Sequence, residues 1–260
     1  MLNNLYIENC ANTEFISEPD VLNYLTKVRS FLIDYKSYHV RHTMREDHQF
    51  AKSAQLHLWK AHIDELIIEV YNAFVCGSFL TVSAMTRNLI EAFGYLSILT
   101  SLGNEQLIHH WFVCSLCNEK RLDADRTRAF VEEYCQANSL NFSEMWEIYG
   151  IQANGNRPGR NTWIKQVIPG KKDSFKNICA YLKDDQIYKD YQDACTFVHE
   201  QDIASKLSPF TFDTSICHRF DLMMNYIFKC IRLFPLNKDL EDQRISLELD
   251  HIVLLNRFYH

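Results

Sequence analysis

The sequence predicts an all-α protein, an antiparallel helical bundle of about seven to nine helices. Three observations lead there. Gly and Pro number only 7 and 5 in 260 residues, too few to punctuate a turn-rich β architecture. Apolar residues make up 47% of the chain, enough for a substantial core, and they recur at helical spacing over most of its length. No fixed-period repeat, low-complexity tract or Gly/Ser linker interrupts them, so one helical domain is expected over 1–260. Within it, 1–45 reads as an N-terminal helical extension, 46–210 as the core and 211–260 as a C-terminal helical pair.

The first helix is expected to start at Glu18-Pro19-Asp20, where Asp20 can cap free amides. Val21, Leu22, Leu25, Val28, Leu32 and Tyr35 follow at helical spacing, and the helix should end near Tyr38. A second helix, 46–74, places Leu56, Trp59, Ile63, Leu66, Ile67, Val70 and Phe74 on one face and closes at Cys76-Gly77-Ser78. The third, 79–100, carries only two charged side chains, Arg87 and Glu91, and is apolar all round, as a central helix is. Its length raises a membrane span, which Arg87, Asn88 and Glu91 at its middle argue against.

Gly103-Asn104 breaks the chain before two amphipathic helices, 105–118 and 123–138, and a short one, 143–149. The segment 150–172 reads as the one long loop, irregular through Gly155, Pro158, Gly159, Pro169 and Gly170 and basic through Arg157, Arg160, Lys165, Lys171 and Lys172. Helices then resume at 173–182, 185–199, 213–234 and 237–258, with Pro235 separating the last two.

A formal charge of −6 gives no global positive field of the kind that drives non-specific nucleic-acid binding, although local basic patches remain. The first ten residues lack a positively charged stretch and do not read as a secretory signal. Nine cysteines without a framework fit reduced thiols, so a cytoplasmic protein is expected.

Arg87 and Glu91, four apart, share one helical face with apolar neighbours, and that pattern reads either as a structural ion pair or as the floor of a polar pocket. A second stripe, Tyr188, Tyr191, Cys195 and Val198, carries His199 at its edge, where it could meet Glu91 or titrate near neutrality. His110, Cys114 and Cys117 share a helical face without a second close ligand pair, so core packing is expected there rather than zinc. No P-loop, dinucleotide-binding glycine pattern, zinc-protease motif or nucleophile elbow occurs, and no cofactor is expected.

The string Ser83-Ala84-Met85-Thr86-Arg87-Asn88-Leu89-Ile90-Glu91-Ala92-Phe93, followed by Tyr191 and Phe197-Val198-His199, resembles the pattern of a prokaryotic family of unknown function. That family is similar to the HEPN group of helical-bundle domains, and the resemblance covers about 63–206. It implies a helical bundle, frequent dimerisation and, in many members, metal-independent RNA cleavage in toxin, abortive-infection or antiphage settings. There an Arg stabilises charge on the scissile phosphate while a His serves as general base or acid for attack by the ribose 2′-hydroxyl.

The active signature sets a His four to six residues beyond the Arg. Here Arg87-Asn88 is followed by Glu91, and His199 stands on another helix; counted as intervening residues, the spacing is met instead by Arg41 and His48, with six between them, outside the region of resemblance. The expected catalytic set is therefore Arg87, Glu91 and His199, with Arg41 and His48 as the alternative. Trp163 among Arg157, Arg160, Lys165, Lys171 and Lys172 makes a cation-plus-aromatic mixture suited to nucleic acid. The expected function is a metal-independent ribonuclease effector of a toxin or phage-defence system. RNA, an antitoxin or defence-system protein, and a second copy of the chain are its expected partners; no membrane is. The alternative is a non-catalytic HEPN-like interaction or ligand-binding module in which Arg87, Glu91 and His199 form a structural network.

Overall fold

The computed structural model describes residues 15–43, 54–101, 105–168, 174–198 and 212–258. Among them the backbone forms ten α-helices and one short 3-10 helix, and no strand. The helices are α1 (Pro19–Thr43), α2 (Ala54–Val75), α3 (Phe79–Ser101), α4 (Glu105–Asn118), α5 (Ala124–Ala137) and α6 (Phe142–Tyr149). After the 3-10 turn (Thr162–Gln166) come α7 (Phe175–Leu182), α8 (Asp185–Val198), α9 (Phe212–Arg232) and α10 (Lys238–Phe258). The all-α expectation is met.

Local chemistry accounts for the boundaries. α1 runs beyond Tyr38 to Thr43, because no Gly or Pro between them stops it. α2 ends where Gly77 turns to φ +72° and the amides of Cys76, Gly77 and Ser78 return to the carbonyls of Asn72, Phe74 and Ala73. Asp123 caps α5 by accepting from the Arg126 amide, and Asn141 caps α6 by accepting from the amides of Ser143 and Glu144. The segment read as one long loop holds the 3-10 turn, whose Trp163 and Ile164 are buried.

The chain divides into two compact units. The first draws its described residues from Met1–Phe50, His57–Phe93 and Gln186–His260, the second from Ala51–Leu56 and Gly94–Asp185. In the first, α1 packs on α10: Asp20 pairs with Arg257 and Lys27 with Asp250, so along this pair one helix rises as the other descends. Phe220 of α9 is the hub of an aromatic core, with ring centroids 5.1 Å from Phe74, 5.7 Å from Phe15, 5.9 Å from Tyr24 and 5.1 Å from His251. A buried polar triad ties α1 to α2: Lys60 Nζ and Tyr35 OH each donate to the Asp64 carboxylate at 2.8 Å.

In the second unit α4 packs on α5, α6 and the 3-10 turn. His109 Nδ1 lies 2.7 Å from Tyr134 OH and His110 Nδ1 lies 3.1 Å from Tyr149 OH, so adjacent histidines reach two different helices. Tyr95 packs against Trp163 and Phe175. Gly94 permits that approach, since a Cβ there would come within 2.7 Å of the Phe175 ring.

Candidate functional site

The Arg87 pair is the centre of a four-residue cluster within the first unit. α3 presents Arg87 and Glu91 one turn apart, and α8 presents Tyr191 and Cys195 one turn apart. The two pairs meet at the guanidinium: Nη2 donates to Tyr191 OH at 2.8 Å and Nε donates to Cys195 Sγ at 3.1 Å. The bond from Nη2 to Glu91 Oε1 is longer, 3.4 Å. The guanidinium carbon also sits 5.1 Å from the Tyr191 ring centroid, within cation–π range.

Arg87 retains 32% of its side-chain exposure and Glu91 16%, so the cluster is half-buried and not sealed. The hydrogen bond to Tyr191, aided by Glu91, holds the Arg87 pKa above its ordinary value against the opposing effect of desolvation. It therefore carries its charge throughout the accessible pH range. Burial raises the Tyr191 phenol above its ordinary value although Arg87 beside it pulls the other way, so Tyr191 is neutral at physiological pH. The cluster thus offers a fixed, oriented cation beside a carboxylate, a phenol and a thiol. The guanidinium is the one group among these that attracts an anion, and the charge of Glu91 opposes it.

The other expected site residues fall elsewhere. His199, His48, Lys171 and Lys172 lie outside the described residues, and Arg41 lies in α1 with its side chain outside them. Arg157 points inward: Nη1 donates to the carbonyls of Cys117 and Glu119 at 2.9 Å each, and Nη2 donates to that of Leu122. It closes the C-terminal end of α4, whose last carbonyls have no partner within the helix. Trp163 is 1% exposed and packs on Tyr95, so its face is not open to a nucleobase in this arrangement. Arg160 and Lys165 are exposed.

Cys114 and Cys117 are buried, and Cys114 Sγ lies 3.5 Å from the Gly159 carbonyl oxygen. Burial pushes the Cys117 thiol up to about 12, as packing in a core does. Among the described residues no group of three His, Cys, Asp or Glu side chains could hold a metal ion, and no helix is long and apolar enough to cross a membrane.

Tyr191 and Cys195 are the site residues that the expected catalytic set omitted. Their signal was present, because a Tyr and a Cys four apart on α8 mirror Arg87 and Glu91 four apart on α3. What no local pattern carried is that the two pairs meet. Compared with family models, curated proteins and solved structures, the chain finds no match in any of the three.

Proposed function

We propose that the protein is a metal-independent, RNA-cleaving effector in which Arg87 holds the scissile phosphate. The observation that carries this reading is the anchoring of Arg87: Tyr191 and Cys195 fix its orientation while about a third of the side chain stays accessible. An oriented, permanently charged guanidinium stabilises the charge that builds on a phosphate during 2′-hydroxyl attack, with little reorganisation at the moment of reaction. Glu91, at 3.4 Å, is the most loosely held of its partners and the one a phosphate would displace. His199, four residues after Cys195 in the sequence, is assigned as general base and acid. The attack breaks the bond to the 5′ oxygen, which leaves with a proton, so the products end in a 2′,3′-cyclic phosphate and a 5′-hydroxyl.

A second reading is favoured by one observation: Arg87 is tied to Glu91, Tyr191 and Cys195 by hydrogen bonds that join α3 to α8, as a structural ion network does. On that reading the protein is a non-catalytic interaction or ligand-binding module and the cluster is structural. Expression of the wild type separates the two. The effector arrests growth and fragments cellular RNA, and His199→Ala abolishes both while His48→Ala does not. Intact RNA at high expression leaves the module; loss of activity in His48→Ala alone moves the centre to Arg41 and His48.

A further inference from the structure

α8 carries two ridges. Tyr191 and Cys195 form the one that meets Arg87; Gln186 and Asp190 form the other, one residue earlier and so about 100° around the helix. Asp190 is 8% exposed, and both carboxylate oxygens are taken. Gln186 Nε2 donates to Oδ1 at 2.7 Å, and Tyr226 OH, from α9, donates to Oδ2 at 2.8 Å. Among the described residues no cation pairs with it. A buried carboxylate without a cation costs more than an apolar side chain in the same place, so burial alone does not account for it. Two charge-assisted hydrogen bonds at fixed angles do what apolar packing does not: they set the rotation of α8 about its own axis.

Tyr226 carries that constraint to the Arg87 site. Its hydroxyl holds α8 through Asp190, and its buried ring packs edge-on against Phe93 of α3, with centroids 5.7 Å apart at 79°. Lys229, one turn on in α9, places Nζ 4.4 Å from the Tyr226 ring centroid and 5.8 Å from that of Phe93. Within the first unit, α9 therefore grips α3 two residues from Glu91 and α8 one residue from Tyr191. A helix turns as one body, so fixing Asp190 fixes Tyr191 and Cys195 with it. We propose that Asp190 is the positioning residue of the Arg87 site, setting through Tyr226 the rotation of α8 at which Tyr191 and Cys195 meet the guanidinium. Its bearing on catalysis rests on the nuclease reading of Arg87; its bearing on the geometry of Arg87 does not.

Hydrogen exchange at the Arg87 Nε–H, followed by NMR on the full chain and assigned with Arg87→Lys, reads the bond to Cys195 without RNA. Asp190→Ala should speed that exchange about tenfold, as loss of one hydrogen bond does, while the backbone amides of α1 and α10 keep their wild-type protection. Asp190→Asn should restore most of the protection, because the Gln186 amide can turn its oxygen toward the new NH2 group while Tyr226 still donates to the remaining oxygen. Should Asp190→Ala not fold, Tyr226→Phe, which keeps the ring on Phe93, should show the same change in smaller measure. In RNA cleavage Asp190→Ala should lower kcat about tenfold and leave KM within about twofold. Arg87 exchange that stays at the wild-type rate in whichever of the two variants folds, that rises only together with the amides of α1 and α10, or that Asp190→Asn fails to restore, overturns the proposal. A wild type that leaves RNA intact overturns the nuclease reading instead, and the exchange rates still decide the role of Asp190.

Discussion

Arg87 is held by three side chains and still touches solvent, which sets how much its loss can cost. Removing one partner of a sealed ion pair costs several kcal/mol, whereas a pair at 3.4 Å with exposures of 32% and 16% sits between that case and a surface pair. Arg87→Ala should lower stability by about 1–2 kcal/mol, measured by urea denaturation. Tyr191→Phe keeps the ring beneath the guanidinium and removes one bond, so it should cost no more than about 1 kcal/mol while leaving Arg87 held by Cys195 and Glu91 alone. Cysteines offer a second check at this scale. Burial pushes the Cys117 and Cys179 thiols up to about 12, whereas Cys76 is exposed. Peptide mapping after brief alkylation of the native protein should find Cys76 modified and Cys117 and Cys179 modified only in denaturant; equal labelling of all three would contradict the burial.

The residue scale is also where the sequence was least informative. Arg87 and Glu91 stood out because they are the only charges in an apolar helix. That Arg87 bonds Tyr191, 104 positions away, is written in no local period. Arg157 and Trp163 were read by type, as a cation and an aromatic in a loop. Their environment gives them other work: one satisfies backbone carbonyls and the other fills a core.

At the scale of the element, periodicity and capping located most helices, because both are encoded within a few residues. Asp123 and Asn141 are side chains whose chemistry alone starts a helix, and Gly77 is one that ends it. The end of α4 is different, since it is closed from Arg157, some 40 residues on. Arg157→Ala removes three hydrogen bonds, although the Glu119 carbonyl keeps the Leu122 amide, and should destabilise the protein by roughly 1–3 kcal/mol in thermal unfolding, with Arg157→Lys recovering only part. α10 shows a further limit. Its buried face includes Arg244, which Glu241 and Glu248 neutralise, while aliphatics line its outer face, so polarity alone does not say which side is inside.

That same network gives α10 a pH dependence. Hydrogen bonding to Arg244 holds the Glu241 carboxyl below its ordinary value of 4.5. A folded pKa below the unfolded one means that the contribution is fully present above 4.5 and is lost as pH falls through the lowered value. Glu241→Gln should therefore be less stable than the wild type at neutral pH, and the two should converge in strong acid. A difference that stays constant from neutral pH into strong acid would show that Glu241 contributes by packing and not by charge.

For the molecule as a whole, composition was enough to set the class. Scarce Gly and Pro and dense aliphatic residues leave helices as the economical solution, and every described element is helical. The division into two compact units was not legible. Among the described residues its boundaries fall inside continuous helices, in α2 between Leu56 and His57, in α3 between Phe93 and Gly94 and in α8 between Asp185 and Gln186, where no change of composition marks them. Function depends on a narrower point than the fold, namely whether the anchored guanidinium meets a phosphate.

The most direct measurement is the cleavage of single-stranded RNA by the purified full chain in excess EDTA, with Arg87→Ala and Tyr191→Phe alongside. The account predicts cleavage by the wild type despite the chelator, with 2′,3′-cyclic phosphate ends and none on a 2′-deoxy substrate. It further predicts at least a hundredfold loss in Arg87→Ala and a smaller loss in Tyr191→Phe, as expected when an oriented charge is removed or loosened. Wild-type protein that leaves the RNA intact, or cleavage that survives Arg87→Ala undiminished, would contradict it.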